Sequence, residues 1–275
     1  MKPTLQDHAF ENLSDKLSFD LEDTLWWIQG RKKIISNYLK KASHISRISK
    51  IMDIGCGSGG NLDVLAAYGN IIGIERSPTL ARRARDKNIA EKIYEKDLFD
   101  LRDAMQIDLF TLFDVLEHIQ DDHAFLVKLK SISSDKHLIL ISVPACQFLY
   151  SSHDELLHHY RRYSKKSLSS LLSANGYEII NINYFMCFLF PLAILSRFKE
   201  KTTRWSGGEK INIGKVPAWL NRLLRMIIEA EARVSDYFKF PIGLWIFALA
   251  RLKPDHSLKW DDSNFEMTSN KFSTK

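Results

Sequence analysis

The chain has 275 residues, of which 45% are hydrophobic and 26% charged. That balance excludes a largely disordered polymer and suits one large α/β domain with an elaboration better than two domains. A net charge of +6 and a pI near 9.1 point either to anionic partners or to plain solubility, and three scattered cysteines form neither a disulfide framework nor a metal spacing.

Residues 1–49 read as a helical lead-in. Its first 20 residues are polar and acidic, with no apolar core of signal-peptide length, so a cytoplasmic location is expected. From Lys50 onward strands and helices alternate. Residues 51–54 form the first strand. Residues 61–68 form a helix through Leu62, Leu65 and Ala66, and 71–75 a second buried strand. A basic helix follows at 78–87 with Pro78 in its first turn. Residues 90–95 lead into a short third strand, and 107–113 make the fourth. A helix over 122–131 turns Phe125, Leu126 and Leu129 inward, and 136–143 make the fifth strand. Ser164 caps a helix over 164–175 that Gly176 ends. Residues 177–184 alternate as a sixth strand, Pro217 opens a long helix over 216–238, and 243–252 make a last strand. These elements predict an α/β fold, a doubly wound, seven-stranded, mostly parallel sheet over 50–253. An insertion occupies about 185–215, and the polar tail 254–275 reads as disordered. The apolar runs 185–195 and 240–250 are too short to span a bilayer, which takes about 20 residues.

The run I-M-D-I-G-C-G-S-G-G over 51–60 is the most informative stretch. A buried strand ends there, and Gly55, Gly57, Gly59 and Gly60 build a tight turn that a ligand approaches without meeting a Cβ. The following helix offers free N–H groups, so the turn predicts a cofactor pocket at the carboxyl end of a strand. Gly55, Gly57 and Gly60 also satisfy G-x-G-x-x-G, which leaves a dinucleotide open. Asp53 decides between the two. A carboxylate repels a pyrophosphate and suits a cationic centre, such as the sulfonium and ammonium of S-adenosylmethionine. Glu75, about 20 positions further on, is placed to accept both ribose hydroxyls of an adenosine. Its competing reading is a solvated charge at a strand end.

The residues from Asp53 to Gly59 closely resemble the first motif of the class I S-adenosylmethionine-dependent methyltransferases. The stretch F-D-V-L-E-H over 113–118 resembles the D-V-L-E-H segment of small-molecule methyltransferases such as those of ubiquinone biosynthesis. L-W-W-I-Q-G-R over 25–31 resembles the W-W/F-x-x-R lead-in of bacterial methyltransferases of this class. The resemblance covers most of 26–183. It implies a Rossmann-like sheet whose seventh strand runs antiparallel beside the sixth, with S-adenosylmethionine as the cofactor. It places Trp27, Arg31, Asp53, Gly55, Cys56, Gly57, Gly59, Glu75, Arg76, Asp97, Leu98, Phe113 and Asp114 at that cofactor. Asp97 would meet the adenine amino group and Leu98 would flank the ring. Trp27 would cover the cofactor and Arg31 would meet its carboxylate, unless these residues belong to an amphipathic packing helix. Glu117 and His118 would lie beneath the acceptor, with Asp114 and His118 as the catalytic pair. His118 is either a general base or a histidine that holds the loop.

H-D-E-L-L-H-H over 153–159 invites a metal reading, but His153 and His158 are five apart and the pattern is not H-E-x-x-H. No metal site is expected. Joined to Y-R-R-Y over 160–163, the stretch reads as an acceptor loop carrying His153, His158, Tyr160, Arg161 and Tyr163, or as a solvated charged face. The apolar run 185–195 precedes Arg197, Lys199, Lys201 and Arg204. It reads as core or acceptor-pocket lining, or as peripheral membrane contact through 185–204. No recognition module for nucleic acid is present. The expected function is direct, in-line methyl transfer from S-adenosylmethionine to a small-molecule or lipid-linked acceptor. An NAD-type oxidoreductase and a non-catalytic, membrane-peripheral scaffold are the other classes weighed.

Overall fold

The computed structural model describes residues 25–102, 104–133, 136–195 and 217–253. Residues 1–24 of the expected lead-in over 1–49, the part of the expected insertion over 185–215 from 196 onward, with its Arg197, Lys199, Lys201 and Arg204, and the tail from 254 lie outside the described residues.

Seven strands form one sheet in the order β3-β2-β1-β4-β5-β7-β6. They are β1 (Lys50–Ile54), β2 (Asn70–Glu75), β3 (Lys92–Glu95), β4 (Leu109–Phe113), β5 (Leu138–Pro144), β6 (Tyr177–Phe185) and β7 (Trp245–Leu252). The first five pair in parallel, and β7 lies antiparallel between β5 and β6. This is the expected doubly wound sheet. The chain steps one way from β1 to β2 and the other way to β4, so a crevice opens at the carboxyl ends of these strands.

Strand residues alternate between two apolar layers. Met52, Phe110, Leu112, Ile139 and Ile141 face one layer, with Phe125, Leu126, Leu168 and Leu172. Ile51, Leu109, Leu138, Leu140 and Phe247 face the other, with Ile34, Ile35, Leu39 and Ile228. β5 is buried along its whole length, as its unbroken apolar run requires of a strand covered on both faces. The helices are α1 (Trp26–Ile45), α2 (Leu62–Ala66), α3 (Pro78–Asp86), α4 (Asp122–Ser131), α5 (Ser152–Leu156), α6 (Lys165–Ala174) and α7 (Ala218–Val234). Their starts follow local chemistry. Ser77 caps α3 ahead of Pro78, Asp121 caps α4, and Ser164 forms a capping box with Ser167 on α6.

Several bounds differ from expectation. α2 is five residues long, α7 ends at Val234 before 238, and β7 begins at Trp245 after 243. α5 was not foreseen. It is too short to show a period, and a capping box between Ser151 and Asp154 makes it. The apolar run after β6 divides: Met186, Leu189 and Phe190 are buried, whereas Phe188, Leu192 and Leu195 are exposed.

α1 and α7 touch through a glycine. A Cβ on Gly30 would lie 2.7 Å from Ile228 Cγ2 and 2.8 Å from Ile228 Cβ. The second atom is fixed to the α7 backbone, so the helices cannot accept a methyl group without moving apart. Gly30→Ala is expected to destabilise the fold by about 1–3 kcal/mol despite alanine's better helix propensity. Urea denaturation followed by circular dichroism reads the change. A midpoint at or above that of the parent chain would show that the two helices separate freely.

Candidate active site

The glycine turn is built by backbone geometry. Gly55, Gly57 and Gly59 all take positive φ. Gly55 N–H and Cys56 N–H both donate to the Ile74 carbonyl, at 2.8 and 3.1 Å, which ties the turn to β2. Gly57 stands apart: nothing lies within 4 Å of the place a Cβ would take. Open space at a left-handed glycine is a cradle for a ligand, since a side chain would fill it. Glu75, at the tip of β2, closes the other side. Its Oε2 accepts from Gly57 N–H at 2.9 Å and its Oε1 from Ser77 N–H at 2.8 Å. Burial raises its carboxyl above the ordinary range against those bonds. Cys56 is buried beside Gly73, and burial pushes its thiol up, so it packs without reacting.

Arg76 and Asp97 face each other at 4.0 Å across exposed surface. Asp97 Oδ1 accepts from Phe99 N–H at 3.0 Å and caps the short turn Leu98–Asp100. Leu98 is buried in the first apolar layer. Trp27 is half-buried and packs with Trp26 against the second layer.

Arg31 reaches from α1 to the strand ends. It pairs with Asp114 and donates to Ser142 Oγ at 2.9 Å, while its Cζ lies 5.7 Å from the Phe113 ring centre and 6.0 Å from that of Phe247. Its Nε is buried without a hydrogen-bond partner. Asp114 sits at φ +57, a left-handed position that few residues other than glycine, asparagine and aspartate adopt, and also accepts from Trp245 Nε1 at 3.0 Å and Ser142 Oγ at 3.2 Å. Three donors fix the position of its carboxylate. Ser142 and Trp245 were not picked out in the sequence. They come from β5 and β7, and only strand order brings them together.

The F-D-V-L-E-H segment and the loop after β5 meet. Tyr160 N–H donates to the Glu117 carbonyl at 2.8 Å, and His158 turns the chain at φ +56. His118 and His159 stack edge to face with centres 4.6 Å apart. Burial, with His159 adding to it, lowers the His118 imidazole to about 4. His159 Nδ1 lies 2.9 Å from Asp154 Oδ1, which also accepts from Arg162 Nε at 2.8 Å. Glu117 is fully buried and neither carboxyl oxygen has a hydrogen-bond partner. Burial, reinforced by Asp114, raises its carboxyl well above the usual range. Of the expected acceptor residues, Tyr163 is buried and donates to Asp122 Oδ2 at 2.8 Å, and Arg161 bonds the same oxygen at 3.0 Å. Those two therefore fasten the loop to α4. Tyr160 and His158 are exposed and His153 is half-exposed on α5. Spacing along the segment gives His159, Asp154 and Arg162 no signal of their own; their contacts with one another and with His118 come from the fold.

Asp53 lies 2% exposed beneath the turn, and its Oδ1 accepts from Thr111 Oγ1 at 2.6 Å. Burial lifts its carboxyl from 3.8 to about 7 against the pull of Thr111 and Arg31. A carboxyl raised in the folded state stabilises most below its unfolded value and loses that stabilisation as pH rises through its folded value. Folding stability is thus expected to fall between about pH 4 and pH 7 from this group, and Asp53→Asn should flatten that slope. Urea midpoints across this range measure it; parallel slopes in both proteins would refute the assignment.

Comparison with known proteins follows the same geometry. The methyltransferase domain family matches residues 26–182, more than half of the chain. A curated relative, tocopherol O-methyltransferase from Arabidopsis thaliana, is 32% identical over 120 residues, which cover 40% of this chain and 34% of that protein. A ubiquinone biosynthesis O-methyltransferase from Rickettsia felis is 22% identical over 188 residues, covering 54% of this chain and 77% of that one. The chain thus spans about a third of the first relative's length. Among solved structures, the plantazolicin methyltransferase BpumL in complex with SAH superposes with a TM-score of 0.54 at 14% identity, over 90% of this chain and 91% of that one. At that identity the likeness speaks for the fold. Fold, motif order and matched span agree, and the chain belongs to the methyltransferase domain family, a family of S-adenosylmethionine-dependent enzymes.

Proposed function

We propose that this chain transfers the methyl group of S-adenosylmethionine to an oxygen of a small-molecule acceptor. The observation that carries the reading is the open cradle at Gly57 facing the Glu75 carboxylate. Each Glu75 oxygen already accepts one backbone N–H and keeps a lone pair for a ribose hydroxyl. Asp97 and Arg76, which face each other at 4.0 Å, would meet the adenine, and Arg31, held by Asp114 and Ser142, would offer its charge to the cofactor's carboxylate. When bound, the cofactor supplies an activated methyl on a cationic sulfur. The protein's own part is placement and exclusion of water, which suits a direct displacement. Oxygen as the acceptor atom is supported by the names of the curated relatives, tocopherol O-methyltransferase and ubiquinone biosynthesis O-methyltransferase. The loop carrying His158, His159 and Tyr160 packs directly on the segment that bears Glu117 and His118, and this junction is the wall against which an acceptor would rest.

Titration with S-adenosylhomocysteine and with NADH, followed by thermal shift, separates this reading from a dinucleotide enzyme. Stabilisation by the former alone is expected; a response to NADH alone would replace the assignment. Glu75→Ala removes charge-assisted bonds and should weaken S-adenosylhomocysteine about 10–100-fold. Gly57→Ala has steric room and costs about 1–2 kcal/mol for its positive φ, yet it should also weaken the ligand because its methyl enters the cradle. Unchanged affinity in both variants would empty the cradle of its role.

A lipid-linked acceptor is favoured by one feature. Phe188, Leu192 and Leu195 are 62%, 63% and 66% exposed after β6, and Trp219, Leu223 and Met226 are exposed on α7 beside Arg222 and Arg225. Among the described residues no helix is long and apolar enough to cross a membrane. Contact would therefore be interfacial. Co-sedimentation with anionic phosphatidylglycerol vesicles should be strong at low salt and lost at high salt. Protein that stays in the supernatant at low salt would leave only a freely diffusing acceptor.

A further inference from the structure

The hydrogen bonds of Asp114 are divided unevenly between its two oxygens. Oδ1 accepts from Trp245 Nε1 at 3.0 Å and from Ser142 Oγ at 3.2 Å. Oδ2 takes Arg31, through Nη1 alone. Nη2 of Arg31 turns instead to Ser142 Oγ at 2.9 Å. An arginine beside a carboxylate frequently pairs as a fork, with two N–H groups on two oxygens. Here Trp245 and Ser142 occupy the oxygen that a second prong needs, so one oxygen holds the pair. The consequence falls on Arg31, whose side chain is buried and whose Nε has no hydrogen-bond partner. The protein by itself leaves the guanidinium unsaturated, a costly state that a bound anion relieves. Trp245 is built to impose this division. An indole N–H donates and never accepts, so it bonds the carboxylate and leaves the guanidinium alone. The residue before it is fixed on both sides: Ala145 N–H donates to the Leu244 carbonyl at 2.8 Å, and Leu244 N–H to the Phe185 carbonyl at 2.9 Å. The cluster also lies at the glycine turn. Val115, next to Asp114, has its Cγ2 2.8 Å from the place a Cβ on Gly55 would take.

We propose that Trp245, with Ser142, is a positioning residue that keeps Asp114 from forking onto Arg31 and so reserves the guanidinium for the carboxylate of the bound cofactor. Trp245 acts on that ligand only through Asp114 and Arg31. Without the indole N–H, Oδ1 turns toward Arg31, and the closed fork competes with the incoming carboxylate. Loss of the indole therefore affects ligands that carry a carboxylate and spares those that do not. This role rests on the methyl-transfer reading above, which supplies the cofactor.

Calorimetry on the full chain compares two ligands, S-adenosylhomocysteine and its decarboxylated analogue, which lacks only the carboxylate. The unaltered chain should prefer S-adenosylhomocysteine about 10–100-fold, the worth of a charge-assisted pair. Trp245→Phe keeps an aromatic ring and removes the N–H. It should weaken S-adenosylhomocysteine about 3–10-fold and leave the analogue within about twofold. Ser142→Ala should act in the same direction. Equal loss for both ligands would make Trp245 a packing residue and overturn the role, as would unchanged affinity for both. Should Trp245→Phe fail to fold, Ser142→Ala and the unaltered chain decide. Equal loss in Ser142→Ala, or no preference for the carboxylate in the unaltered chain, overturns the role as well. Binding of neither ligand by the unaltered chain overturns the methyl-transfer reading, and this role with it.

Discussion

The ion pair between Arg31 and Asp114 is the interaction around which the strand ends are arranged. Arg31 is buried, so its guanidinium needs a partner, and Asp114 supplies it from the end of β4. The same carboxylate draws in Ser142 from β5 and Trp245 from β7. Four elements distant in sequence thus converge on one charge pair. The aromatic rings of Phe113 and Phe247 pack beside the guanidinium, with centres 5.7 and 6.0 Å from its Cζ.

Around that pair the acids are graded by burial. Asp53 is sealed against Thr111 and behaves as a structural acid beneath the turn. Glu75 stands half-exposed at the cradle with both oxygens partly used. Glu117 is sealed with neither oxygen used. One family of side chain thus has three environments within one crevice. The reversal of strand order between β1 and β4 makes that crevice, so the sheet topology decides where the acids gather.

Much of the fold was legible in the sequence. β1, β2, β4 and β5 are apolar runs ended by glycine, acid or proline, and the caps Ser77, Asp121 and Ser164 are local chemistry. α5 and the start of α1 were less legible. α1 has no side-chain cap of its own; Asn221 of α7 accepts from Trp26 N–H at 3.0 Å. In the site, Gly57 and Glu75 were readable because turn and strand end lie close in the chain. His159, Asp154 and Arg162 were not, since the contact of His159 with His118 joins segments far apart in the chain. Tyr163 and Arg161 looked like acceptor residues by type, yet their hydrogen bonds go to Asp122.

The sequence by itself determined the alternation of elements, the glycine turn and the order of the methyltransferase motifs. Those depend on short-range sterics and on apolar periodicity, which a linear chain displays. Tertiary structure alone decided that Trp245 and Ser142 brace Asp114, that Asp53 is sealed, and that Glu117 meets His118 and His159. Burial and pairing are properties of neighbours in space, and the sheet's crossovers set those neighbours after the local elements have formed.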